Sequence, residues 1–327
     1  MRAALYESTG PAEQVLRVVE MPVPAPGPGE VRVRVHASGV NPVDVKTRSG
    51  SRGAQLPFPR IIPHSDGAGV IEALGDGVPP HRLGERVWVW NCSWGRADGT
   101  AAEAVVVPSA MAVPLPANTS FAAGACLGIP ALTAWHAVAV DGGVAGKAVL
   151  VAGGAGAVGH YAIQFAKAAG ARQVIASVSS EAKAGIAHEA GADLALDYRA
   201  PDFVQKVLTA TGGLGVDRVV EVDGHANREL NPALVRAEGD IVVYGSGAPE
   251  LALPFRPSIL KNLRYRFFIV FNLTARDRAA AHAGLTRLLV EDRLTHHLGP
   301  QFTLADIAAA HREVERGALG NVVVTPG

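Results

Sequence analysis

Two cysteines, Cys92 and Cys126, are all that the 327-residue chain contains. They cannot form a disulfide framework or a four-cysteine zinc site, and both are expected to be unbridged thiols. Aromatic residues make up only 6% of the chain, and there is no internal repeat, low-complexity tract or long run of one charge. Net charge is missing too: 30 Lys and Arg stand against 30 Asp and Glu, which leaves no electrostatic footprint for nucleic acid or an anionic membrane. No apolar run approaches about 18 residues, and residues 1–20 carry Arg2, Glu7, Glu13, Arg17 and Glu20 where a secretory signal needs an apolar stretch. These absences point to a cytoplasmic protein that engages neither membrane nor nucleic acid. The 11 histidines never fall in H-x-x-H or H-E-x-x-H spacing, and no C-x-x-C occurs. His64 and Asp66 flank Ser65 as the nearest thing to a ligand cluster, but no third or fourth ligand can be named, so no metal is expected. His296 and His297 are expected on the surface. Without G-x-S-x-G, a serine hydrolase has no anchor.

What the chain does have is 37 glycines and 22 prolines, punctuating short apolar segments of two kinds. Up to about residue 121 the pattern alternates: Val31, Val33 and Val35 share one face and Arg32 and Arg34 the other, the period-2 signature of a half-buried strand. Further strands are predicted at 15–19, 69–73, 86–90 and 104–107, giving an all-β, barrel-like unit. Beyond it, continuous apolar strands at 148–152, 174–178, 194–196, 218–222, 241–244 and 267–271 are separated by helical segments, for example Val158, Tyr161, Ala162, Phe165 and Ala169 at helical spacing. That alternation implies a doubly wound parallel sheet covered on both faces. Thr274 with Asp277 and Thr303 with Asp306 open two later helices in the manner of capping boxes. Residues 321–325 read as a last strand that returns to the first domain.

The strand at 148–152 runs straight into Gly153-Gly154-Ala155-Gly156-Ala157-Val158-Gly159 and then a helix. Gly154, Gly156 and Gly159 satisfy G-x-G-x-x-G in the strand–turn–helix setting that gives it meaning. Gly154 is assigned the tight turn, Gly156 the close approach to a pyrophosphate and Gly159 the helix–strand packing, with phosphate oxygens at the positive end of the helix. At the end of the next strand, where NAD-binding proteins place an acid on the ribose 2′-hydroxyl, stand Ser179 and Ser180. Lys183, Tyr198 and Arg199 lie near the same sheet edge, so cations and hydroxyls are available for a 2′-phosphate. NADPH is therefore favoured over NADH, although Glu181 is close by and Lys183 also suits a solvated helix position.

Beyond these motifs, residues 28–44 (Pro-Gly-Glu-Val-Arg-Val-Arg-Val-His-Ala-Ser-Gly-Val-Asn-Pro-Val-Asp), 48–50, 66–71 (Asp-Gly-Ala-Gly-Val-Ile), 84–87, 128–134 and Gly245-Ser246 form an ordered series over nearly the whole chain. In that series the sequence resembles the zinc-free quinone oxidoreductases, the zeta-crystallin branch of the medium-chain dehydrogenase/reductase superfamily. The resemblance implies an α/β protein: a GroES-like β-barrel catalytic domain from residues 1–121 and 270–327, and a Rossmann domain at 122–269, with a cleft between them. It also implies a homodimer or homotetramer. Asn41, Ser65 and Ile129 stand where the zinc-dependent relatives carry their catalytic ligands, with His64 one place out of register. By the same resemblance Asn41 and Thr133 border the nicotinamide, Ala155, Gly156, Ala157 and Val158 hold the pyrophosphate, and Ser179, Lys183 and Tyr198 hold the adenosine phosphate. Val243, Tyr244, Gly245 and Ser246, together with Phe268, Ile269 and Val270, run along the ribose and carboxamide. The chain departs from the family at Lys46 and near Arg52, where tyrosines are common, and at Asn321, where a Lys or Arg is common.

With no Lewis acid to polarise an alcohol oxygen, the acceptor must be electrophilic in itself. A quinone or an activated alkene qualifies, held against the nicotinamide so that proximity supplies the rate. Asn41 can bond a substrate oxygen or a ribose hydroxyl, Lys46 can stabilise a developing hydroquinone or enolate anion, and Trp90 and Trp135 are expected to be core residues rather than stacking platforms. The expected activity is an NADPH-dependent quinone reductase. An enone or enoyl-thioester reductase and a catalytically weak NADPH-binding protein remain alternatives.

Overall fold

A computed structural model describes residues 1–51 and 53–327, and Arg52, one of the departures from the family pattern, lies outside the described residues. Fifteen strands follow one another along the chain: β1 (Arg2–Leu5), β2 (Arg17–Glu20), β3 (Glu30–Val40), β4 (Asp66–Leu74), β5 (Arg86–Val89), β6 (Ala104–Pro108), β7 (Ala112–Pro114), β8 (Ala148–Val151), β9 (Gln173–Val178), β10 (Leu194–Asp197), β11 (Val216–Glu221), β12 (Val235–Val243), β13 (Arg264–Phe267), β14 (Leu298–Thr303) and β15 (Asn321–Thr325). They divide between two compact units, Met1–Ile129 with His282–Gly327, and Pro130–Ala281. The boundaries drawn from sequence, at 121/122 and 269/270, fall earlier on both sides. Residues 121–129 are bound to the first unit by Phe121 stacking on His36 at 4.5 Å and by the Ile129 N–H donating to Asp66 at 2.8 Å. Among the described residues no helix is long and apolar enough to cross a membrane.

In the first unit a seven-stranded sheet runs in the order β14-β15-β3-β4-β5-β7, with β6 on the other side of β3. The alternation read from sequence is realised in β3: Val31, Val33 and Val35 are buried while Arg32 reaches Glu72 at 2.7 Å. The β3–β4 ladder slips register between Val35 and Ala37, and a side chain at Gly69 would run into the Arg34 carbonyl, so the bulge depends on glycine. The chain end returns as expected, with β15 antiparallel to β3. The strand predicted at 15–19 is present as β2 against β1 but starts at Arg17, because Val15 closes the short helix Ala12–Val15, and β14 carries no apolar alternation that would have announced it.

The second unit is a six-stranded sheet, all pairs parallel, in the order β10-β9-β8-β11-β12-β13. Its central strands are buried throughout, as the continuous apolar runs require. The last strand lies at Arg264–Phe267, not at 267–271. Residues 268–271 leave the sheet, and Val270 and Phe271 are buried in a 3₁₀ turn. That apolar run signals burial in loop packing, while the edge strand itself carries Arg264 and Arg266 because one flank meets solvent.

One charge sits inside this unit. Arg218, 0% exposed, donates to the Val138 and Val140 carbonyls at 3.0 and 2.9 Å, closing the C-terminal end of the Leu132–Ala139 helix, and pairs with Asp240 at 3.0 Å. Asp240 also holds the largely exposed Arg264 at 2.6 Å. Asp240→Ala strands a buried guanidinium and is expected to cost about 3 kcal/mol, whereas Arg264→Ala is expected to cost under about 1 kcal/mol. Urea denaturation of both variants checks the contrast, and equal losses would refute it.

Candidate functional site

In the second unit, β8 ends in a turn whose left-handed residue is Gly153 (φ 67°). The tight-turn role therefore belongs one place before Gly154, to which sequence reasoning assigned it. Gly154 serves packing instead: a Cβ there would stand 2.6 Å from the Ala176 Cβ of the neighbouring strand. At Gly159 a Cβ would collide with the Gly153 carbonyl, so the helix start lies directly on the turn. Gly156 is the N-cap of the Ala157–Ala168 helix, whose first-turn amides, including those of Val158 and Gly159, have no intrahelical acceptor. Ala155 is buried beside them. Helix N-termini of this kind are positively polarised and suit anions.

At the carboxyl ends of β9 and β10, Lys183 Nζ donates to Ser179 Oγ at 3.1 Å, and Arg199 donates to the Ser179 carbonyl. Tyr198, 48% exposed, lies next to Arg199. Sequence reasoning counted two cations here, but Arg199 is neutralised by Asp197 at 2.9 Å, and the pairing holds the Asp197 carboxyl down at about 2. Lys183 is the cation that reaches Ser179 without a carboxylate between them.

Two acids missed by sequence reasoning brace the neighbouring loops. Asp223 accepts the Gly247 and Ala226 N–H groups at 2.8 and 3.1 Å. Glu221, fully buried, accepts from Asp223 N and Asn227 Nδ2 at 2.6 and 2.9 Å, and burial pushes its carboxyl up. The Glu221 carbonyl also takes the Tyr244 N–H, and the Gly245 carbonyl takes that of Gly224. The Val243, Tyr244, Gly245 and Ser246 segment is thus tied to the end of β11. Its sequence signal was an acid directly after the Val219-Val220 pair at the end of β11. Phe268 bonds back to the Val243 carbonyl and packs on His136 at 4.6 Å, Ile269 is half-exposed, and Val270 is buried. Thr133 is buried in the first turn of the Leu132–Ala139 helix. Trp135 meets Phe165 edge-on at 5.4 Å, a packing role.

In the first unit, Asn41 follows β3 as N-cap of the Pro42–Ser49 helix. Its N–H donates to Asp44 at 2.8 Å and its Nδ2 to Asp66 Oδ2 at 2.8 Å. The same Asp66 oxygen accepts the Ile129 N–H, and burial pushes the Asp66 carboxyl up to about 8. His64, in a left-handed conformation (φ 76°), has both ring nitrogens in use, Nδ1 on Ser38 Oγ at 2.7 Å and Nε2 on His311 Nε2 at 3.0 Å. Burial pushes both imidazoles down, His311 to about 3. Ser65 Oγ is shared with Ser93 Oγ at 2.7 Å. Cys92 and Cys126 are buried, with both thiols pushed up. Among the described residues no group of three or more His, Cys, Asp and Glu is arranged to hold a metal ion.

Other candidates lie apart from this cluster. Lys46 is exposed on its helix. Asn321 is buried at the start of β15 with its amide on the His297 carbonyl at 3.1 Å, a structural bond that accounts for the side chain. Trp90 is buried against His282. His296 is not on the surface: it is partly buried, pushed down to about 4, and lines a cavity of about 270 Å³ with Asn118 and Asp292 that none of the sequence-predicted site residues borders.

Comparison with known proteins fits this geometry. Residues 27–117 match the family described as alcohol dehydrogenase GroES-like domain, and residues 157–285 match that described as zinc-binding dehydrogenase. The human quinone oxidoreductase is 31% identical over 330 residues, covering 99% of this chain and 97% of its own. Among solved structures, an NAD-dependent alcohol dehydrogenase superposes with a TM-score of 0.91 at 33% identity, over the whole of both chains. The Escherichia coli quinone oxidoreductase complexed with NADPH gives 0.87 at 25% identity, again over both whole chains. With a parallel sheet ending in a glycine turn and a relative this similar along its full length, the chain belongs to the quinone oxidoreductase family of the medium-chain dehydrogenase/reductase superfamily, a family of oxidoreductase enzymes.

Proposed function

We propose that the protein is an NADPH-dependent quinone reductase that works without a metal ion. The observation that carries this reading is the pairing of a built phosphate cradle with a first unit whose family ligand positions are chemically spent. Asn41 offers an amide already held by Asp66, Ser65 a hydroxyl shared with Ser93, and Ile129 no donor atom at all, while the adjacent His64 has both nitrogens bonded. These residues do not fit a catalytic zinc, which takes three protein ligands from Cys, His and carboxylates. Alcohol oxidation, the activity in the name of one structural neighbour, thereby loses its usual source of charge stabilisation.

The residues of the second unit do fit a dinucleotide. The 153–159 turn and the first-turn amides after Gly156 would hold the pyrophosphate, and Ser179, Lys183 and Tyr198 the 2′-phosphate. The cofactor, when bound, supplies a hydride and so delivers two electrons to the acceptor. Thr133 and Asn41 are assigned to the nicotinamide end. Lys46, exposed and cationic, is assigned to an oxyanion developing on the acceptor. The segments at 243–246 and 268–270 supply main-chain positions along the ribose and carboxamide, and the Asp223 and Glu221 contacts fix the first of them in place.

We also propose that two copies pair as a homodimer through β13. This strand is one of the two edges of the parallel sheet, and it and the nearby 255–260 helix carry exposed apolar side chains: Phe255 at 74%, Leu260 at 72%, Ile259 and Phe267 at 54%. An unpaired edge beside such a patch suits antiparallel pairing with its own copy.

Three outcomes are expected. NADPH oxidation should be faster with 1,4-benzoquinone than with a 2-enoyl thioester and indifferent to chelators; preference for the thioester would make the protein a double-bond reductase, negligible turnover on both a binding protein, and chelator-sensitive activity restored by zinc would overturn the metal-free reading. Lys183→Ala should raise KM for NADPH about tenfold, the scale of one charge-assisted hydrogen bond, and leave KM for NADH nearly unchanged; an equal effect on both would remove Lys183 from the phosphate site. Light scattering should find a dimer that dissociates when Phe255 and Leu260 are both replaced by Asp, and a wild-type monomer would refute the β13 interface.

A further inference from the structure

Asp66, buried in the first unit, ties together separate pieces of chain. It opens β4, is 0% exposed, and through a single oxygen, Oδ2, joins Asn41 at the end of β3 to Ile129 in the Leu127–Ala131 turn, each at 2.8 Å. Its other oxygen, Oδ1, is buried with no hydrogen-bond partner and lies over Gly128, where a Cβ would collide with it. On the opposite side Gly39 leaves room for the Asp66 Cβ, 3.4 Å from where its own Cβ would be. Gly128 therefore lies directly against the carboxyl, in space that any side chain there would take from it.

We propose that Asp66 is a positioning residue that sets the orientation of the Asn41 amide, so that Asn41 offers its Oδ1 as an acceptor to a cofactor hydroxyl and not an N–H to the substrate oxygen. Asn41 faces Oδ2 with its donor, Nδ2, so the amide oxygen is turned away from Asp66. Asp44 also engages Asn41, its carboxylate accepting the Asn41 N–H in a capping box that takes in the Asn41 side chain, so Asp66 and Asp44 act on the amide together. This also gives a reason for the chain to keep a buried carboxyl where the resemblance puts metal ligands, since two of those positions, Asn41 and Ile129, are cross-linked here by hydrogen bonds to one oxygen. The inference rests on the reading of Asn41 as a cofactor-contacting residue.

The test uses the full chain and measures NADPH affinity by fluorescence titration together with kcat on two quinones of different size. Asn41→Ala comes first: unchanged NADPH affinity in this variant overturns the cofactor role of Asn41, and the positioning of it by Asp66 falls with that role. Given a loss there, Asp66→Ala is expected to weaken NADPH binding about tenfold, the scale of one buried hydrogen bond, with a smaller change in kcat that is the same for both quinones. Asp66→Asn, which keeps an acceptor oxygen, should recover most of the lost affinity. Gly128→Ala, which displaces the carboxyl without altering it, should resemble Asp66→Ala. The double variant Asp66→Ala with Asn41→Ala should bind no worse than Asn41→Ala alone, because one side chain acts through the other. Additive losses in that double variant, or wild-type affinity in both Asp66→Ala and Gly128→Ala while Asn41→Ala is impaired, would overturn the proposal. If Asp66→Ala does not fold, Gly128→Ala combined with Asn41→Ala decides it by the same additivity criterion.

Discussion

The contact on which the second unit depends is the close approach of the Ala157–Ala168 helix to the end of β8. At Gly159 the helix backbone meets the Gly153 carbonyl so tightly that no Cβ fits. That contact aims the helix N-terminus at the mouth of the sheet and leaves its first amides facing outward, where the aligned peptide dipoles favour an anion. Everything proposed for the cofactor follows from this placement. The ends of β9, β11 and β12 have to deliver Ser179, Glu221 and Tyr244 to the same edge, and parallel strand order makes them do so.

The first unit is governed by a different constraint, the satisfaction of buried polar groups. His64, His311, Ser38, Thr100, Asp66 and Asn41 are all buried around β3 and β4, and each hydrogen-bonds to another member or to nearby backbone. Ionising either histidine here would place a charge where water cannot reach it, and for His311 near the Arg48 guanidinium as well, so burial pushes both imidazoles down. Such networks cost little when complete and much when one member is removed. The polar cluster therefore specifies one arrangement of the strands, with Asp66 Oδ1 left inside it without a hydrogen-bond partner.

The two units also treat glycine differently. Around Gly153 it permits a left-handed turn and close helix packing. At Gly69 and Gly128 it makes room for a carbonyl or a carboxyl of another segment. The first use can be recognised from a local motif; the second cannot, because the neighbour that forbids a Cβ is far away in the sequence.

That difference separates what could be read from the chain and what could not. Hydrophobic period and the glycine spacing after β8 are local properties, and they sufficed for the fold class, the parallel sheet, the tight turn between β8 and its helix and the return of residues 321–325 to the first unit. Local pattern misplaced the last strand of that sheet, because the run 267–271 is apolar for burial outside the sheet while the true edge strand is half charged. It counted Arg199 as a free cation, since Asp197, two residues earlier, is just one acid among thirty acidic residues until the side chains meet. It weighed Asp66 as a metal ligand and His296 as a surface residue. Which atoms a buried side chain faces depends on segments separated by 25 residues in the case of Asn41 and Asp66, and by 247 in that of His64 and His311. Sequence determined which segments form strands, helices and a tight turn, because those follow from short-range periodicity and sterics. Only the tertiary structure decided the partner of each buried polar atom, because hydrogen bonding is short-ranged in space and indifferent to distance along the chain.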